Sequence, residues 1–130
     1  KVALSLWCLV IVALLPYVCA GVGGYFRQAN LGAVDNENPR TQAALLEGAG
    51  ARAYAAQANA WEAVALFLVG LALVHFTGTA DQAGTASIVF VIARILHAIF
   101  YISGAATLRS VSFFGAVGAW IWLIVIAASG

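Results

Sequence analysis

Arg94-Ile-Leu-His97-Ala-Ile-Phe-Tyr101 interrupts an apolar stretch that runs from Ile88 to Ile102. At 3.6 residues per turn, positions i, i+3 and i+7 fall within about 60° of each other on a helix. A guanidinium, an imidazole and a phenol therefore share one face. A second stripe, Arg52, Asn59 and Glu62, falls within about 80° on its own helix, and Gln57 points away from it. An arginine deep in hydrocarbon costs at least about 2.5 kcal/mol on insertion scales, so it is expected to face a partner or a wet cavity.

The elements that must hold these groups are apolar rods. The chain has 130 residues, 64% hydrophobic and 8% charged. A soluble domain of this size needs roughly a quarter charged residues to cover its surface, so this chain is expected to sit in a membrane. Four runs, about 2–22, 54–76, 84–103 and 108–128, are long enough to span about 30 Å of hydrocarbon. The fold class predicted is all-α, an integral membrane four-helix bundle, with residues 1–130 as a single domain. The first run mimics a secretory signal, but it exceeds a signal's apolar core in length and reads as a span kinked at Pro16.

The net charge of +1 and the absence of a basic patch argue against nucleic-acid binding. Cys8 and Cys19 lie in the first run without metal-ligand spacing and read as buried hydrophobes; no metal site is expected. His75 and the four tryptophans read as interfacial or packing residues.

Residues 23–51 form the one substantial loop, with a helix start expected at Pro39 or Thr41. Residues 77–83 form a short second connection, and the tight turn 104–107 makes the last two spans antiparallel neighbours. Arg27, Arg40, Arg52 and Arg109 share one side of the membrane and Lys1 stands on the other. The positive-inside bias puts loops one and three in the cytoplasm.

Counting inward from that side at 1.5 Å per residue, Glu62 and Arg94 both lie about 15 Å deep. His97 and Asn59 match at roughly 10 Å, and Tyr101 lies nearer the surface. A plain Glu62–Arg94 bridge explains two of these groups and leaves Asn59, His97 and Tyr101 in need of partners. Arg109-Ser110 opens the last span, where free backbone N–H groups and the positive helix end attract anions. A cytoplasmic cavity lined by Arg52, Arg94 and Arg109 suits a small polyanion. With Glu62 to receive an ammonium group, the ligand is small, zwitterionic and negative in sum.

Taken together and in order, these motifs resemble the MAPEG family, the membrane-associated proteins in eicosanoid and glutathione metabolism. Gln57-Ala-Asn59-Ala-Trp-Glu62 is similar to its second-helix motif. Arg94-x-x-His97-x-x-x-Tyr101 followed by Arg109-Ser110 is similar to its third- and fourth-helix motif. The resemblance covers almost the whole chain and extends to Asn38-Pro39 in the first loop. It points to bacterial-type members akin to the microsomal glutathione transferases and leukotriene C4 synthase.

The resemblance implies a homotrimer in a bacterial inner membrane, with glutathione as co-substrate between subunits. Arg52, Gln57, Asn59, Glu62, Arg94, His97 and Tyr101 would surround the tripeptide; Arg109 would face the thiol, with Ser110 beside it. Several members carry an arginine where this chain has Ala55, one turn after Arg52.

A free thiol titrates near 8.5 and reacts as the thiolate, which Arg109 and Ser110 would favour. The expected activity is thiol transfer to a hydrophobic small molecule arriving from the lipid, or thiol-dependent peroxide reduction. The alternative is a non-catalytic MAPEG-like lipid-binding or scaffolding protein. A small multidrug exporter is disfavoured, because its key acid would stand in the first span, which here has none.

Overall fold

The computed structural model describes residues 2–130; Lys1, assigned above to the far side of the membrane, lies outside the described residues. Among the described residues the chain is helical without strands, and four helices are long and apolar enough to cross a membrane. They are α1 (Leu4–Leu31), α3 (Gly48–Phe76), α4 (Gly84–Ser103) and α5 (Ala106–Ala128); a short α2 (Pro39–Ala43) lies in the first loop. A 3₁₀ turn, Ala80–Gln82, occupies the second connection.

The helices outrun the apolar runs that announce them. α1 continues through Pro16 and past Val22, because Tyr25 to Asn30 contain no breaker and Gly32 at φ 86° is the first residue to turn the backbone. α3 likewise begins at Gly48, six residues before its apolar run. Apolar length reports bilayer thickness, whereas the end of α1 and the start of α2 are set by Gly32 and Pro39. The first loop is therefore residues 32–47, and α2 starts at Pro39, as expected for proline at a first helical turn.

The core is built from small residues on one helix facing large ones on the next. Phe67 of α3 and Phe90 of α4 stack in parallel with ring centres 4.4 Å apart. Gly70 lets Trp120 and Leu123 of α5 approach α3: a Cβ there would lie 3.1 Å from Leu123 and 3.2 Å from Trp120. Ala53, Ala56, Ala60 and Ala63 make a buried small stripe along α3. Such stripes bring helices close enough for dispersion contacts, which hold bundles together in lipid. The outward faces are apolar, with Leu14, Val18, Leu68, Ile92, Ile99 and Val125 exposed. Water would reject that surface and lipid accepts it.

α4 packs closely against α5, and α1 against α3. The α4–α5 connection is only Gly104 and Ala105, with Gly104 at φ 83°. This arrangement brings the end of α1, the start of α3, the end of α4 and the start of α5 to one end of the bundle.

Candidate functional site

Two neighbouring cavities open between α3, α4 and α5, and both are lined by Asn59 and Phe113. The deeper, of about 40 Å³, is lined also by Glu62, Phe90 and Arg94. The outer, of about 350 Å³, is lined also by His97, Tyr101, Arg109 and Ser110. Seven residues picked from the sequence thus come together from three helices.

Arg94 is the anchor. It is only 4% exposed, and its Nη2 donates to Asn59 Oδ1 at 2.7 Å and to the Asn59 carbonyl at 3.2 Å. Asn59 Nδ2 in turn reaches Glu62 Oε2 at 3.5 Å. The acid and the base therefore communicate through an amide rather than by the direct bridge weighed above. An amide fits because it offers an acceptor to the guanidinium and a donor to the carboxylate.

Two buried nitrogens on the residues lining these cavities have no partner among the described residues: Arg94 Nε and His97 Nδ1, the latter in a residue 3% exposed. Buried polar atoms are nearly always hydrogen-bonded, so orphans beside a cavity mark where a polar ligand or water would bind. His97 meets Tyr101 edge to face at 5.7 Å, which orders the wall of the outer cavity. Across it, the Arg109 guanidinium lies 4.8 Å from the centre of the Tyr101 ring, within cation–π range. The outer cavity's wall holds an arginine and no carboxylate, so it favours an anion.

Three expectations change. α5 begins at Ala106, three residues before Arg109, and the Arg109 amide is already bonded to the Ala105 carbonyl at 2.9 Å. Attraction for an anion at this point thus comes from the guanidinium and the Ser110 hydroxyl, not from free amides of Arg109 and Ser110. Arg52 does not line either cavity. Its Nε donates to the Ile102 carbonyl at 3.0 Å, beside Gly104, because the last carbonyls of α4 carry unmet acceptors at the negative helix end.

Gln57 stands on the other side of α3, in a separate cavity with Arg27, Arg40, Tyr54 and Trp61. The sequence reading missed Phe113, the wall common to both site cavities. Its signal was present: Phe113 is four residues after Arg109, hence on the same face of α5.

Glu62 is exposed on the surface of the chain, while Arg94, linked to it through the Asn59 amide, is buried. No group of three or more histidine, cysteine or acidic side chains among the described residues could hold a metal ion.

No curated protein and no solved structure matches the chain. The model of the MAPEG family matches residues 4–129, which takes in all four long helices and both polar motifs. The chain belongs to the MAPEG family and, with its four apolar helices, is an integral multi-pass membrane protein.

Proposed function

We propose that the protein is a membrane-bound glutathione transferase that joins the thiol of glutathione to a hydrophobic electrophile. The observation that carries this reading is the convergence of Arg94, Asn59, Glu62, His97, Tyr101, Arg109 and Ser110 on two adjoining cavities. The outer cavity, at about 350 Å³, lies within the range of small-molecule sites, about 300–1,000 Å³. Glutathione fits the charges: carboxylates for the guanidinium side, and one ammonium for Glu62.

In this reading Arg109 sits beside the sulfur and stabilises its anion, and the Ser110 hydroxyl donates a hydrogen bond to it. The thiol proton leaves to solvent through the open mouth. Each unit by which the site lowers the thiol's pKa takes about 1.36 kcal/mol of preferential binding to the thiolate. The sulfur lone pair then forms the new bond to carbon as the leaving group departs with the old bonding pair. With an aromatic halide as acceptor, halide is released.

Exposure of Glu62 at mid-span supports the homotrimer as part of the proposal. A carboxylate turned outward in hydrocarbon needs protein or water over it, and a neighbouring copy would supply that cover. Positive-inside bias supports cytoplasmic loops one and three, since Arg27, Arg52 and Arg109 stand at one end of the bundle. A bacterial inner membrane is the location the family resemblance favours.

Purified protein assayed with glutathione and a generic aromatic halide tests the reading. Glutathione-dependent conjugation is expected, together with saturable heat on calorimetric titration. The second reading, a non-catalytic lipid-binding or scaffolding member, draws on Ala55 and on the engagement of Arg52 with Ile102. Titration that gives no heat and no turnover would favour it.

A further inference from the structure

Arg109 stands in the first turn of α5, and among the residues lining its cavity there is no carboxylate to pair with. Its long side chain must lose much rotamer freedom before it can serve as a fixed donor. What holds it is a ring. The guanidinium carbon lies over Tyr101, 4.8 Å from the ring centre, where the negative face of an aromatic ring attracts a cation.

The ring is itself held. The short turn at Gly104, φ 83°, folds the start of α5 back beside the end of α4, so a residue after the turn reaches one before it. The Phe100 and Tyr101 carbonyls accept the amides of Ala105 and Gly104 at 2.9 and 3.2 Å, which ties the backbone under the ring to the turn. His97, about one helical turn before Tyr101, meets the ring edge to face at 5.7 Å. The same imidazole, 3% exposed, is tilted against Phe113 of α5 with ring centres 6.3 Å apart. Both helices thus brace the ring through a buried neighbour.

A stacked guanidinium differs from an ion-paired one. A carboxylate takes the N–H edge, often two donors at once, and offsets the charge. A ring takes the face, so the five N–H donors stay free in the guanidinium plane and the charge is kept whole. We propose that Tyr101 is the positioning residue for Arg109: its ring sets the guanidinium at the cavity mouth with donors and charge free for the sulfur of the bound thiol. The inference rests on the thiol-transfer reading and adds to it a role for the ring, separate from any contact the Tyr101 hydroxyl makes with the ligand. An acid in this place would hold the arginine as firmly and cancel the charge that favours a thiolate.

The test varies the charge of the ring and keeps its shape. Tyr101→Phe, and phenylalanines bearing two or three ring fluorines at position 101 of the full chain, make the ring face progressively less negative. The pH midpoint of the thiolate band of bound glutathione is measured across the series. A weaker hold on Arg109 leaves the thiolate less stabilised, so the midpoint should climb with fluorine. From Tyr101→Phe to the trifluoro ring the rise should be about half a unit, or about threefold less thiolate below the midpoint, the scale of a cation–π contact at a partly exposed site. In an Arg109→Ala background the same series should be flat.

A midpoint indifferent to fluorine while Arg109 is present would overturn the proposal. So would a Tyr101→Phe midpoint already as high as that of the trifluoro variant, which would give the role to the hydroxyl. A slope that persists in Arg109→Ala would overturn it as well, because the ring would then act on the sulfur directly. Absence of glutathione heat in the unmutated protein marks failure of the thiol reading itself, and the inference falls with it.

Discussion

Among the described residues, Arg94 and Asn59 make the one hydrogen bond between side chains that joins α4 to α3, 2.7 Å from Nη2 to Oδ1. The pair has an asymmetry. Removing the amide leaves the buried charge with only the residue-59 carbonyl, whereas removing the guanidinium leaves only a neutral group short of a partner. Asn59→Ala is expected to lower stability by about 2 kcal/mol, within the range for a hydrogen bond to a charged group. Arg94→Met, which fills a similar volume, should cost less. Thermal unfolding in detergent gives the order; an Arg94→Met protein less stable than Asn59→Ala would contradict it.

Arg52 is expected to act on the turn rather than on the ligand. Its bond to the Ile102 carbonyl caps α4 where the chain reverses at Gly104. Arg52→Ala should cost about 1 kcal/mol, the scale of a cation at a helix C-terminus with partial exposure. Hydrogen exchange should quicken at the amides of Gly104 and Ala105, which close the turn on Tyr101 and Phe100. Glutathione affinity should fall less than it does in Arg109→Ala; the reverse order in calorimetry would return Arg52 to the binding site.

Glu62→Gln tests the ammonium contact. The amide keeps an acceptor for Asn59 Nδ2, so the fold should hold. Affinity for glutathione should drop about tenfold, which is about 1.4 kcal/mol and within the range for a charged hydrogen bond. An analogue lacking the amino group should bind both proteins equally. If the analogue is equally sensitive to the substitution, Glu62 does not meet the ammonium.

Much of this was readable from residue spacing. Two helices entering from the same side place Glu62 with Arg94, and Asn59 with His97, at equal depths, and the structure lines one pair of cavities with all four. Face and depth are properties of a single helix, and sequence reports them directly. What sequence did not report was competition for a flexible side chain. Arg52 has the right face for the site, but the carbonyl end of α4 is within reach and takes it. The same limit hid the end of α1, whose polar last turns contain no breaker before Gly32.

The central claim is that Arg109, packed on Tyr101 at the cavity mouth, holds the sulfur of glutathione as its anion. Ultraviolet difference spectra of saturating glutathione against protein alone read that anion through the thiolate band. The account predicts a clear band at neutral pH in the unmutated protein and its loss in Arg109→Ala, with only modest weakening of glutathione affinity. A band of equal size in both proteins, or none in the unmutated protein at saturation, would contradict it.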